Sequence, residues 1–117
     1  MNTFPDTTPP SPPGVPTVTA APAPLAAYRR QARVLKALAN ESRLLIVDRL
    51  GRGESSAGDL VQLVGLDQTT VSKHLAVLRA HGIVEDRREG NTVIYRLLTP
   101  CVLNFLSCSL QVLEERR

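Results

Sequence analysis

Aromatic side chains are almost missing from this chain of 117 residues: there are two Phe, two Tyr and no Trp. With 43% hydrophobic residues a modest core is affordable, and it must be aliphatic. No run approaches the roughly 20 consecutive apolar residues of a membrane span. The N-terminus lacks the basic-then-apolar plan of a secretory signal. Two cysteines, Cys101 and Cys108, are too few for a disulfide framework. Without an export signal they are expected to be reduced thiols in a cytoplasm. A glycine-rich phosphate loop, a nucleophile with its base and a metal cluster are also missing, which argues against an enzyme and against an obligatory cofactor.

The length suits one domain, and a domain this small is expected to bury further surface against a copy of itself. Net charge is +3, which permits nucleic acid as a partner without demanding it. Its distribution is more telling. Between Tyr28 and Arg52 stand Arg29, Arg30, Arg33, Lys36, Arg43, Arg49 and Arg52, against only Glu41 and Asp48. Residues 1–24 differ in kind, holding eight of the nine prolines among Thr, Ala and Ser. They are expected to form a disordered, partly polyproline-like tail ahead of a domain over 25–117.

In that domain Leu25, Tyr28, Ala32, Leu35 and Ala39 recur at helical spacing. Asn40 is placed to cap a second helix over Glu41 to Leu50, with Leu44, Val47 and Leu50 inward and Gly51 as its stop. Arg52 to Ser56 is expected to be a loop whose serines can cap the next helix. Asp59 to Val84 then predicts two short helices joined by a glycine turn. Leu60, Leu63 and Val64 form the first stripe, Gly65 breaks it and Leu66 packs. Asp67 caps the second helix at Thr69 or Thr70, Val71, Leu75 and Leu78 point inward, and Gly82 closes it. This is a helix-turn-helix pattern.

The opposite face of the second helix carries Thr69, Ser72, Lys73, Ala76 and Ala80, with Gln68 in its first turn. It has no bulky apolar group and, after the cap, no carboxylate, whereas an ordinary solvated face mixes Glu with Lys. Small residues admit a helix to a major groove, and Gln, Thr, Ser and Lys supply donors for bases and phosphates. After Gly82 the period changes to two. Ile83 to Arg88 and Thr92 to Leu98, joined through Glu89-Gly90-Asn91, predict a hairpin. It has the place of a wing, with Arg87, Arg88 and Arg96 in reach of a phosphate backbone and Glu85, Asp86 and Glu89 diluting them. Thr99-Pro100 then marks a helix start, and the helix to about Glu115 is apolar nearly all round. Such a helix is expected to be buried between its own domain and a second copy. The expected fold is mainly α with a small β-hairpin: a winged helix-turn-helix, homodimeric through its first and last helices. A winged helix that binds only protein is the rival class, since fold alone does not give function.

LKALANESRLLIVDRL, QTTVSKHLAVLRAHGIV and REGNTVIYRL, in that order, resemble the ArsR/SmtB family of bacterial winged-helix repressors over roughly residues 26–115. The resemblance implies a homodimer that sits on double-stranded operator DNA and is released by an inducer, usually a thiophilic metal, metalloid or reactive small molecule. It matches Gln68, Thr69, Thr70, Ser72, Lys73 and His74 to the DNA-reading helix, and Arg87, Arg88 and Asn91 to the wing.

The sequence departs from that family at its metal sites. A Cys-x-Cys pair before the helix-turn-helix is replaced by Ser56 and Gly58, and the closing helix has no Asp or His. His74 and His81, the only histidines, belong to the recognition helix and are expected to be structural or phosphate-facing. Cys101 and Cys108 remain as the candidate inducer site. Seven residues apart on one helical line, their backbones are separated by about 10.5 Å, beyond the roughly 7 Å that a disulfide tolerates. Their chemistry therefore needs a third group, a partner's thiol or an unwound first turn. Cys101, near the helix start, is the expected reactive group, and Cys108 the inert one. Three readings stay open: As(III) or Sb(III) bound by both thiols, oxidation or persulfidation at Cys101, or two packing residues.

Overall fold

The computed structural model describes residues 24–115, so the tail expected over residues 1–24 lies almost wholly outside it. Five helices and three strands follow in the order α1 (Leu25–Leu38), α2 (Glu41–Leu50), β1 (Ser55–Ser56), α3 (Ala57–Val64), α4 (Gln68–Ala80), β2 (Val84–Glu89), β3 (Thr92–Leu97) and α5 (Val102–Glu115). The strands form one antiparallel sheet in the order β1-β3-β2. Val84 lies opposite Leu97, Glu89 opposite Thr92, and Ser55 opposite Tyr95. Helices 3 and 4 with this sheet make a winged helix-turn-helix.

Local chemistry sets the helix ends. Asn40 Oδ1 accepts from the Ser42 and Arg43 N–H groups at 2.9 and 3.2 Å, starting α2. Ser56 Oγ accepts from the Asp59 N–H at 3.1 Å, starting α3. Each takes up amide hydrogens that have no carbonyl of their own. α4 ends in a left-handed turn at Gly82, φ +71°. The Ile83 N–H reaches the Leu78 carbonyl at 3.0 Å and the Gly82 N–H that of Arg79 at 3.0 Å, a Schellman closure that needs a residue without Cβ.

The core is aliphatic: Ala37, Leu38, Ile46, Val47, Leu50, Leu60, Val71, Leu75, Leu78, Ile83 and Val84 are buried together. It brings α2, α3, α4 and the root of the hairpin into one body. α1 contributes only Ala37 and Leu38, from its last turn. α5 contributes no buried residue, although Val102, Leu103 and Leu106 lean on the core.

Several expectations are corrected. Arg52 to Ser56 is not all loop, because Ser55 and Ser56 form β1 against Tyr95 and Ile94. Leu63 and Leu66 are exposed, and Ile46, not foreseen, is fully buried in α2 beside Val47, while Leu44 packs against the core only partly buried. Gly51 adopts right-handed angles, φ −63°. Its small size serves another purpose: a Cβ there would lie 2.7 Å from Leu103 Cδ1, so α5 is seated over a bare backbone. Thr99 does not cap α5. Its Oγ1 is buried without a partner, while the Val102 and Leu103 N–H groups reach back three residues to the Thr99 and Pro100 carbonyls. The chain opens here on a tight three-residue turn, and regular α geometry begins only at Val102. Cys101, expected in the first turn of that helix, thus precedes α5.

Candidate nucleic-acid interface

The helix-turn-helix presents α4 by its first turn. Asp67 Oδ2 accepts from the Thr70 N–H at 3.1 Å and Oδ1 from the Thr70 hydroxyl at 2.6 Å. These bonds favour the carboxylate, the hydroxyl more than the amide, and hold the Asp67 acid below its ordinary value. Val71, Leu75 and Leu78 anchor one side of α4 in the core. Gln68, Thr69, Ser72, Lys73, Ala76, Arg79 and Ala80 are exposed. Of these, Gln68, Thr69, Ser72, Lys73 and Ala76 form a surface without acid or bulk. Thr70 is half-buried with its hydroxyl committed to the cap, so it shapes the turn.

Two other polar residues of α4 are engaged. Arg79 forms an ion pair with Asp86 of β2 at 3.0 Å, tying the helix to the wing. His74 is half-buried, and its Nδ1 accepts from Arg43 Nε at 3.1 Å. It belongs with the seat of the helix more than with the exposed surface. His81 Nδ1 lies 2.9 Å from the Val77 carbonyl and donates to it, finishing the helix.

Alternation along β2 separates the wing's arginines. Val84, Asp86 and Arg88 share the face turned toward α4, while Glu85, Arg87 and Glu89 share the other. Arg87 pairs with Glu54, which reaches across β3, and with Glu89 at 3.2 Å. The Glu54 hydrogen bond holds the guanidinium even more firmly protonated than usual. Arg96 pairs with Glu85. Arg88 is exposed and has no ion pair among the described residues, and Asn91 is exposed in the two-residue Gly90-Asn91 turn. Strand alternation therefore sets Arg88 on the face turned toward α4 and leaves Arg87 and Arg96 on the other, each held by a carboxylate, while Asn91 stands exposed in the turn.

Cys101 and Cys108 are both exposed and unpaired. Among the described residues no group of three or more His, Cys, Asp or Glu could hold a metal ion. Beside them α1 and α5 display Leu25, Tyr28, Leu35, Phe105, Leu110, Val112 and Leu113 to solvent. Sequence reasoning missed Arg43 and Glu54 as partners of site residues. Arg43 and His74 are 31 positions apart, and Glu54 and Arg87 are 33, so no periodicity joins either pair.

A helix-turn-helix domain family matches residues 38–87. The chain is 36% identical over 89 residues to Rv0081, an HTH-type transcriptional regulator of Mycobacterium tuberculosis, covering 75% of this chain and 78% of that protein. It is 47% identical over 66 residues to the biofilm growth-associated repressor of Xylella fastidiosa, covering 56% of this chain and 58% of that repressor. Among solved structures it is similar to the homodimeric winged helix-turn-helix DNA-binding domain of Mb0332 from Mycobacterium bovis, a possible ArsR-family regulator. There the TM-score is 0.68 at 35% identity, covering 84% of this chain and 93% of that one. The fold and these relatives define a regulator of transcription and not an enzyme. The chain belongs to the ArsR-type winged helix-turn-helix family of transcriptional regulators.

Proposed function

We propose that this chain is a homodimeric repressor that reads operator DNA with α4 and braces on the phosphate backbone with its wing. One observation carries the reading: α4 offers an exposed surface of Gln68, Thr69, Ser72, Lys73 and Ala76, free of carboxylates and fixed from behind by three buried residues. Two copies joined through α1 and α5 set two such helices at successive major grooves, about 34 Å apart on a palindromic site. Gln68 and Thr69, at the leading end, are the base readers. Ser72, Lys73, Arg88 and Asn91 serve the backbone, Thr70 and His74 hold the helix in place, and Arg87 is a weaker contact because two carboxylates already hold it.

The test is DNA affinity measured across a salt series with wild type and Lys73→Ala. Each phosphate contact contributes close to one unit to the slope of log affinity against log salt. Lys73→Ala is expected to weaken binding to all sequences and to flatten the slope by about one unit. Gln68→Ala is expected to change sequence preference instead. Salt-independent DNA binding, or none, overturns the reading in favour of a protein-interaction module.

The release step is assigned to Cys101 and Cys108. Both thiols are exposed on or beside α5, the helix placed at the dimer contact, so modification there bears on the pairing of the two copies. As(III) or Sb(III) would bind Cys101 and Cys108 across the two copies, since the two sulfurs of one chain stand too far apart to share one ion. Oxidation or persulfidation at Cys101 is the second reading. Operator release by arsenite, polysulfide or peroxide, compared in wild type, Cys101→Ser and Cys108→Ser, distinguishes them. If both variants release DNA as wild type does, the thiols are packing residues and the inducer acts elsewhere.

A further inference from the structure

Arg43 stands where three helices meet. From α2 its Nε donates to His74 Nδ1 of α4 at 3.1 Å, and its Nη1 donates to the Ala37 carbonyl of α1 at 3.3 Å. Ala37 and Leu38 are the only buried residues of α1, so that helix is attached to the body through its C-terminal end. The carbonyls there carry the negative end of the helix dipole, which suits a guanidinium. One rigid planar cation thus spans the anchored end of α1 and the helix placed on DNA. A lysine ammonium, a single point of charge on a flexible stem, does not reproduce this two-way geometry.

The bond to His74 sets the imidazole's state. Nδ1 accepts only while it bears no hydrogen, so the neutral ring carries its hydrogen on Nε2. Protonation places an N–H on Nδ1 against the Arg43 N–H and sets two cations side by side, which breaks the contact. The charges around it offer no compensation. Arg43 faces the ring from α2, Lys36 lies in the last turn of α1 and Lys73 precedes His74 on α4. Asp59 is in the exposed first turn of α3, and Asp86 of β2 is committed to Arg79. No ion pair among the described residues involves Arg43 or His74.

We infer that Arg43 and His74 form a latch that seats the recognition helix against the anchored end of α1. A shift of α1 at the contact between two copies is passed to α4 through this guanidinium, and acid opens the latch. The DNA part of this inference rests on the proposed reading of α4. Arg43 and His74 are positioning residues and not readers.

Two measurements test it. In the DNA-free protein, the Arg43 Nε–H resonance is followed by NMR while His74 is titrated, and it should move and exchange faster as the ring protonates. For binding, a duplex selected by the wild-type protein from a randomised pool is compared with a scrambled duplex of equal length. Arg43→Lys is expected to lose about tenfold of the preference for the selected duplex, roughly the effect of one charge-assisted hydrogen bond. Its affinity for the scrambled duplex and its salt slope should not change. His74→Gln, whose amide oxygen still accepts, should keep the preference and should not lose it on acidification, where wild type does. The inference is overturned if the resonance ignores the titration, if Arg43→Lys retains the preference, or if His74→Gln keeps the wild-type pH profile. Should wild type prefer no duplex, the DNA reading fails and the NMR titration alone decides the latch. Should Arg43→Lys not fold, His74→Gln and the titration decide it.

Discussion

Leu113 offers a clean test of the proposed pairing of two copies. It is 67% exposed in the single chain and lies outside the buried cluster, so Leu113→Ala should leave the folded protomer nearly as stable as before. Removing three carbons forfeits about 2.4 kcal/mol if all of that surface were to be buried, at about 0.8 kcal/mol per methylene. With about two thirds of the side chain still open, the loss is roughly 1.6 kcal/mol per copy. A two-fold interface uses each position twice, giving about 3 kcal/mol per dimer, or about two hundredfold weaker association. Sedimentation equilibrium over a concentration series reads that constant, with far-UV circular dichroism as the check on the protomer. An unchanged constant, or a wild-type protein that stays monomeric at every concentration, would refute the argument.

Other outcomes follow from named contacts. Asn40→Ala leaves the Ser42 and Arg43 N–H groups without their acceptor and should cost about 1 kcal/mol in denaturant unfolding. Gly51→Ala sets a methyl 2.7 Å from Leu103 Cδ1 and 3.2 Å from the Asp48 carbonyl. Because Leu103 can rotate away, the expected loss is about 1 kcal/mol by thermal melting, at the low end of overpacking, with weaker pairing through a displaced α5. Asp67 is held below its ordinary 3.8 by Thr70. Its contribution is therefore complete above that value and disappears as pH falls through the lowered one. Amide exchange at Thr70 should accelerate in that acid window in wild type and not in Asp67→Asn. Arg88→Ala should lower the salt slope of DNA binding by about one unit, and Arg87→Ala by less, since Glu54 and Glu89 already neutralise Arg87.

Legibility followed the range of the interactions. Asn40, Ser56, Asp67 and Gly82 act on amides within a few residues, so the sequence displays both the signal and its target. The bounds of α2 and the start of α4 were readable for that reason. Val71, Leu75 and Leu78 were equally plain, because helical period and burial coincide there. β1 was hidden: two serines carry no strand signal, and their partners Tyr95 and Ile94 lie far along the chain in β3. Leu63 and Leu66 misled because an apolar stripe does not say how far the core extends. Thr99-Pro100 had the right residues for a helix start, yet the tight turn through Pro100 and Cys101 moved that start along the chain. On α4, composition showed which face lacks acid. The division of Arg87 from Arg88 depended on sheet pairing and on Glu54, both of which are long-range.

Ser56 holds two offices at once. Its backbone lies opposite Ile94 in the sheet, and its hydroxyl fastens the opening turn of α3. A pull on the hairpin therefore does not stop at the hairpin. It is delivered one residue later to the first coil of the helix that supports α4, so the wing and the reading head should loosen together. A duplex gripped at the wing would in this way report its grip to the helix lying in its groove.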